Sequence, residues 1–499
     1  MGIFLNIDST HYFYTRDCGK DYEKQVREFA DIYKGTQVER ILYGVNCMRA
    51  SFNSRCFDRL WDGFDPSQGA EQELFGALTG KSREMYHTMV KNAYAFSVEH
   101  NVYRDLIERT RKNGISAWVS VRMDDLHCVD KESHPFHNTF WKENPQFRCS
   151  PYKFSAYQDK ALDYRYPEVR ALYKGLIADV LDQYDVDGLE LDWMRFGYVF
   201  TPGFEEEGRR ILTEYVREIR ELTDQAAKKY HHTVELSVRV PSRPQTAFEM
   251  GYDVLEWAEQ GLVDEIVYTP FWASVENDMP VELWNRILKH TKVRAIPGLE
   301  LLLRPDPEET GFQTNSLETA RGSAYQYLSR GAEHIYLYNY FDCLTAMKDL
   351  QNYPTLLREL GELTTMCGKE RRHVVTFSDI HTPGTAFGTL LPAAIKSEGE
   401  SRMFRINCGQ SEKREAFVFL GLKEYSKEDV ETIRIFVNGQ RCEREEREIT
   451  KYPFPEGDVY CYRVSKEALR SGENMVDVIG VPSVICWVEL YFAEQSKEH

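Results

Sequence analysis

Eight short apolar runs, rich in Val, Ile and Tyr and separated by amphipathic helical segments, constrain this chain more than any other feature. They are Ile3–Asp8, Arg40–Asn46, Ser116–Arg122, Gly188–Asp192, Val234–Val240, Glu265–Thr269, Val293–Gly298 and His334–Asn339. The alternation is that of parallel strands with helical crossovers. Eight such units predict an α/β fold, a closed (β/α)8 TIM barrel with insertions. The helical faces agree: Tyr22, Val26, Phe29, Ala30 and Tyr33 recur at helical spacing before Gly35. A later helix opens at Tyr166-Pro167-Glu168, with proline in the first turn, and buries Val169, Leu172, Leu176 and Val180.

Two connections, Cys47 to Gly114 and Met123 to Arg165, are too long for simple barrel loops. Both follow strand ends, after strands two and three, which places them on the face where barrel enzymes carry their substrate loops. After the polar link Cys367–Arg372 the period changes to alternation, with an Asn438-Gly439 turn between apolar stretches. The run Val459–Ile479 resembles the β-sandwich pattern of ancillary domains in carbohydrate enzymes. The expected domains are a catalytic barrel over residues 1–366 and a small antiparallel β-sandwich over residues 373–499.

The formal charge of −17, with no basic cluster longer than Lys369-Glu370-Arg371-Arg372, argues against a nucleic-acid partner. No stretch approaches the ~18–20 apolar residues of a membrane span. Eleven cysteines without a C-x-x-C pair suggest neither a disulfide framework nor a zinc site. The first residues lack a signal-peptide pattern, so the expected location is the cytoplasm. Histidines without H-E-x-x-H spacing, and the lack of a P-loop, dinucleotide fingerprint or G-x-S-x-G elbow, imply no metal and no cofactor.

The most informative segment is Tyr184-Asp185-Val186-Asp187-Gly188-Leu189-Glu190-Leu191-Asp192-Trp193-Met194-Arg195. A strand ending in a carboxylate puts Asp192 at the barrel mouth, with Glu190 one layer deeper on the same face. This segment, together with Leu162-Asp163-Tyr164-Arg165-Tyr166-Pro167-Glu168-Val169-Arg170, resembles the glycosyl-hydrolase-like family ten proteins, distant relatives of the α-amylase superfamily. Their fourth strand similarly ends in Asp after a Val-Asp-Gly turn, and Trp193 stands where many of them carry a second Asp. The resemblance implies a carbohydrate-active barrel.

Glycosidases place two carboxyl groups across the scissile bond, ~5–9.5 Å apart. Asp192 and Glu300 are the expected catalytic pair; Asp8, Asp124, Asp125 and Asp342 are the other strand-end carboxylates. Glu300 has the alternative of capping the loop after Gly298, and Asp124 that of pairing with an arginine. Asp124, Arg122, Arg195 and Arg239 are expected to bind substrate, an acidic sugar included, with internal salt bridges as the alternative. Trp193, Tyr268, Trp272, Tyr338 and Asn339 supply the aromatic and polar lining suited to a pyranose. Glu190 is expected to pair with Arg122. The reading is a hydrolase cleaving a glycosidic bond of an imported oligosaccharide through paired carboxylates. The alternative is a non-catalytic carbohydrate-binding or regulatory barrel, and a homo-oligomer is compatible with both.

Overall fold

The structure is a computed structural model, and it describes residues 2–151, 157–271, 274–307, 313–342, 349–386, 388–428, 430–446 and 458–495. The eight barrel strands are β1 (Gly2–Ile7), β2 (Val38–Gly44), β3 (Ser116–Arg122), β4 (Gly188–Asp192), β5 (Glu235–Pro241), β6 (Glu265–Thr269), β7 (Arg294–Leu299) and β8 (His334–Tyr338). They close into a barrel in the order β1-β8-β7-β6-β5-β4-β3-β2. Each lies within two residues of the run read from the sequence, because strands buried on both faces carry continuous apolar stretches.

Helices and caps follow local chemistry. Tyr22–Asp31 starts at Asp21, whose side chain accepts from the Lys24 amide, and Gly35 follows it with φ of 70°. The helix Pro167–Gln183 begins with proline at its first turn, as expected, and leads to β4. At the entrance to β4, Asp187 accepts from the Ala117 amide at 2.7 Å and pins β4 beside β3. Gly188 then leaves room for the buried Trp118, since a Cβ there would lie 2.4 Å from the indole ring. Arg40 covers Trp118, 3.6 Å from its ring centroid, and pairs with Glu265. Arg294 joins Glu235 at 2.8 Å and Glu265 at 2.6 Å, completing an ion network at the N-terminal strand ends.

The register sets the layers of the opposite end. Ser120 is level with Glu190, Arg122 with Asp192, and Asp192 with Arg239 across β3, β4 and β5. The long connection after β2 holds the helices Gly80–Tyr94 and Val102–Lys112. The one after β3 carries, among the described residues, the short helix Thr139–Glu143 and the 3-10 turns Pro145–Phe147 and Tyr157–Lys160.

The C-terminal strands form two antiparallel sheets. One runs in the order Arg371–Val374, Ser483–Phe492, Ala416–Lys423, Asp458–Val464, Glu443–Glu445; the other Ser401–Asn407, Glu473–Ile479, Arg434–Val437, Gln440–Arg441. Val418, Leu420, Ile435, Val476, Val478 and Leu490 belong to their shared core, which makes a sandwich. Asn438 and Gly439, with φ of 51° and 82°, make the expected tight turn.

The chain divides into two compact units, Phe4–Tyr268 with Ile287–Ala295, and Met1–Ile3 with Thr269–Arg286 and Ile296–His499. Residues 366 to 373 lie within the second unit. There the helix Leu317–Ser329 meets the strand Arg371–Val374 so tightly that a Cβ at Gly322 would lie 1.9 Å from the Arg372 carbonyl oxygen.

Candidate active site

Asp124, Asp125 and Asp192 lie at the C-terminal ends of β3 and β4. Asp192, the last residue of β4, turns its side chain back to cap the following turn, and Oδ1 accepts from the Met194 amide at 3.0 Å. The same oxygen accepts from Arg239 Nη1 at 2.9 Å. Oδ2 is buried and has no hydrogen-bond partner among the described residues.

Asp124 leaves β3 by two residues. The chain is held there by the amide of Met123, which donates to the Asp192 carbonyl at 3.0 Å, and by Tyr164 Oη, which donates to the Met123 carbonyl. Asp124 Oδ2 accepts from the Gly197 amide, and Tyr252 Oη in turn donates to the Gly197 carbonyl at 3.0 Å. Oδ1 is buried and without a partner among the described residues. Burial, and after it the charge of Asp192, push the Asp124 carboxyl well above the usual carboxylate range, against the opposing amides of Gly197 and Phe196.

A second cluster stands beside this pair. Arg122 donates to Asp8 at 2.8 Å and to Asp125 at 3.2 Å, while its backbone is clasped by Asn46. Burial would raise Asp8, but Arg122 and Thr10 outweigh it and hold the carboxyl below its ordinary range. Asp125 is held low in the same sense, burial being outweighed by His127 and then Arg122 and Arg195. Asp125 Oδ1 lies 2.6 Å from His127 Nδ1, and Arg195 Nη2 lies 2.6 Å from His127 Nε2. A guanidinium only donates, so Nε2 accepts and Nδ1 carries the proton toward Asp125. Burial lowers the pKa of His127, opposed by Asp125 and reinforced by Arg195.

Several expected residues take other places. Glu190 does not sit level with Arg122; the register puts Ser120 there, which donates to Glu190 at 2.7 Å, and Asn6 donates at 3.0 Å. The anticipated Arg122–Glu190 pair gives way to Arg122 with Asp8 and Asp125, because Arg122 is one layer higher. Trp193, expected to stack on a sugar, is fully buried among Tyr164, Tyr215 and Tyr252, with ring centroids 5.1–6.4 Å away. It is a core residue. Tyr268 is also fully buried, at the end of β6. Trp272 lies outside the described residues.

In the second unit, Glu300 follows β7 and is buried; its backbone carbonyl accepts from Tyr340 Oη at 3.0 Å and Asn315 Nδ2 at 3.4 Å. Tyr338 ends β8 buried, and Asn339 adopts a left-handed φ of 59° immediately after it. Among the described residues no group of three or more His, Cys, Asp or Glu is arranged to hold a metal ion. No described helix is long and apolar enough to cross a membrane. Asp125 stood among the strand-end carboxylates of the sequence, but the roles of Asn6, Ser120 and Tyr252 left no local signal, because each arises from contacts between distant segments.

Fold and site together define a (β/α)8 barrel with a cluster of buried carboxyl groups at its strand ends. The chain is distantly similar to the glycosyl hydrolase DigH of Escherichia coli K12 and of Shigella flexneri, 26% identical over 181 residues in each case. That match covers 30% of this chain and 41% of the length of those curated relatives. No protein-family profile matches the chain. Among solved structures it is similar to α-L-fucosidase isoenzyme 2 from Paenibacillus thiaminolyticus, with 14% identity, a TM-score of 0.42, and 72% and 48% of the two chains covered. It is also similar to Thermotoga maritima α-fucosidase in complex with fucose, with 12% identity, a TM-score of 0.35, and 96% and 94% covered.

Proposed function

We propose that the protein is a glycoside hydrolase acting on an oligosaccharide inside the cell, with Asp192 as nucleophile or base. The observation that carries this is the state of Asp192: one oxygen is fixed by Arg239 and the Met194 amide, and the other is buried with no hydrogen-bond partner among the described residues. A carboxylate fixed through one oxygen presents the other in a defined direction, as attack on an anomeric carbon or on a water requires. Distant similarity to proteins named glycosyl hydrolases supports the same class. Glu300 and Asp124 are the candidates for the acid. Arg122 and Arg195, facing Asp8, Asp125 and His127, are the guanidinium groups nearest in kind to what a uronic acid would need. Exposed thiols at Cys56 and Cys367 fit a reducing compartment and an imported substrate.

The test is a screen of purified protein against aryl glycosides and oligosaccharides, uronic-acid types included, with Asp192→Asn as the control. Turnover by the wild type and its loss in the folded variant support the proposal. Binding of a glycan without turnover would favour the non-catalytic carbohydrate-binding reading. Full activity in Asp192→Asn would remove Asp192 from the reaction.

A further inference from the structure

We propose that Asp124, rather than Glu300, is the general acid of this site, giving its proton to the glycosidic oxygen while Asp192 serves the anomeric carbon. The inference rests on the glycosidase reading. It begins with placement. Arg122 of β3 is level with Asp192 of β4, the Met123 amide continues that pairing to the Asp192 carbonyl, and Asp124 is the next residue to leave the strand. Neighbouring strands run ~4.8 Å apart. With a rise of ~3.3 Å per residue, a carboxyl on the adjacent strand two residues beyond the level of Asp192 falls within the ~5–9.5 Å spanned by glycosidase pairs.

The two groups are tied in complementary ways. Each has one oxygen held by the protein and one buried oxygen without a hydrogen-bond partner among the described residues, Oδ1 of Asp124 and Oδ2 of Asp192. The holding groups differ in charge. Asp192 is paired with a guanidinium, whereas Asp124 Oδ2 is held by the Gly197 amide and takes part in no salt bridge among the described residues. A buried carboxyl beside a carboxylate, lacking a cation of its own, keeps its proton, and the upward shift of Asp124 has these causes. The environments of the pair thus differ, with a guanidinium beside Asp192 and, among the described residues, no cation paired with Asp124.

The steps balance. Asp192 Oδ2 bonds to the anomeric carbon as its bond to the leaving oxygen breaks, and the Asp124 proton passes to that oxygen, releasing an alcohol. Water then attacks the anomeric carbon, its proton returns to Asp124, and the Asp192 ester bond breaks, so the sugar leaves with its configuration retained.

The experiment compares Asp124→Asn and Glu300→Gln on two substrates, an aryl glycoside with an activated nitrophenyl leaving group and an unactivated oligosaccharide. Asp124→Asn is expected to lose about 10²–10⁴-fold in kcat on the unactivated substrate and far less on the activated one. Asp124→Gly with azide is expected to recover turnover and yield a glycosyl azide. Asp124→Glu keeps an acid in place, and is expected to shift the alkaline limb of the kcat–pH profile. An equal loss on both substrates, or an unshifted limb in Asp124→Glu, overturns the role. If the split between substrates appears in Glu300→Gln instead, the assignment to Asp124 falls and the glycosidase reading stands. If the wild type cleaves no glycoside, both fall together.

Discussion

Arg239 of β5 stands level with Asp192, the last residue of β4, and the two meet at 2.9 Å, with both side chains buried. Desolvating two charges is costly, and the pair offsets that cost only while both members are present. Arg239→Met should therefore destabilise the fold by about 3–5 kcal/mol, since it leaves a carboxylate buried without its cation. Asp192→Asn keeps an oxygen that accepts from Arg239 and should cost less, while abolishing turnover. Urea unfolding of the two variants checks the order; an Arg239→Met variant as stable as wild type would show that the pair is not what fixes Asp192.

Glu412 gives a stability prediction that depends on pH. Burial would raise its pKa, but Arg371, and then hydrogen bonds from Tyr325, Arg414 and Arg371, lower it from an ordinary 4.5 to about 2. A depressed carboxyl stabilises the folded state above its unfolded pKa, and the contribution is lost as pH falls from about 4.5 toward about 2. Glu412→Gln should lose about 1.5–3 kcal/mol near neutral pH, the range for hydrogen bonds to charged groups. The gap from wild type should close on acidification. A gap that stays constant across that window, measured by denaturant unfolding, would contradict the assignment.

Gly322 tests the packing of the second unit. The nearest atom to an added Cβ is the Arg372 backbone oxygen, which cannot swing aside as a side-chain tip can. Gly322→Ala should cost roughly 1–3 kcal/mol or more through overpacking, despite alanine's better helix propensity. The readout is thermal unfolding; a stabilised variant would mean that helix and strand are free to separate.

These cases also show what the sequence could carry. The barrel was legible because each strand announces itself locally, as a short apolar run bounded by helical faces. Asp192 was legible for the same reason, standing at the end of its own strand. The Arg122–Glu190 pairing was misread because a shift of one layer in register is invisible until the strands are paired, and Ser120 carries no sign of being Glu190's partner. Trp193 looked like a sugar platform from its position after β4, but whether an aromatic ring faces a pocket or the core depends on the Tyr164, Tyr215 and Tyr252 rings, which come from three other segments. The upward shift of the Asp124 carboxyl depends on its burial and on Asp192 beside it, and no motif records either.

The division of the chain makes the last prediction. A barrel ending at residue 366 would follow the change in sequence pattern, yet the compact unit continues through the sandwich. Such a truncation removes the strand Arg371–Val374 from the helix Leu317–Ser329, whose residues Leu317 to Leu328 are almost all buried. It also removes Arg371 from Tyr325, where the guanidinium carbon sits 3.8 Å from the ring centroid, and Lys369 from Glu359. Glu359 keeps Arg321, at 2.8 Å, but both then face water. Apolar area returned to solvent costs about 25 cal/mol per Å². The truncated chain should consequently be expressed as an aggregation-prone, incompletely folded protein, although no group of the first unit's carboxyl cluster is deleted. Near-ultraviolet circular dichroism and size-exclusion chromatography of the chain ending at residue 366 and of the full 499-residue chain check this. A monomeric, cooperatively unfolding product ending at residue 366 would show that the helix is stable without its strand, and that the sandwich is an independent domain after all.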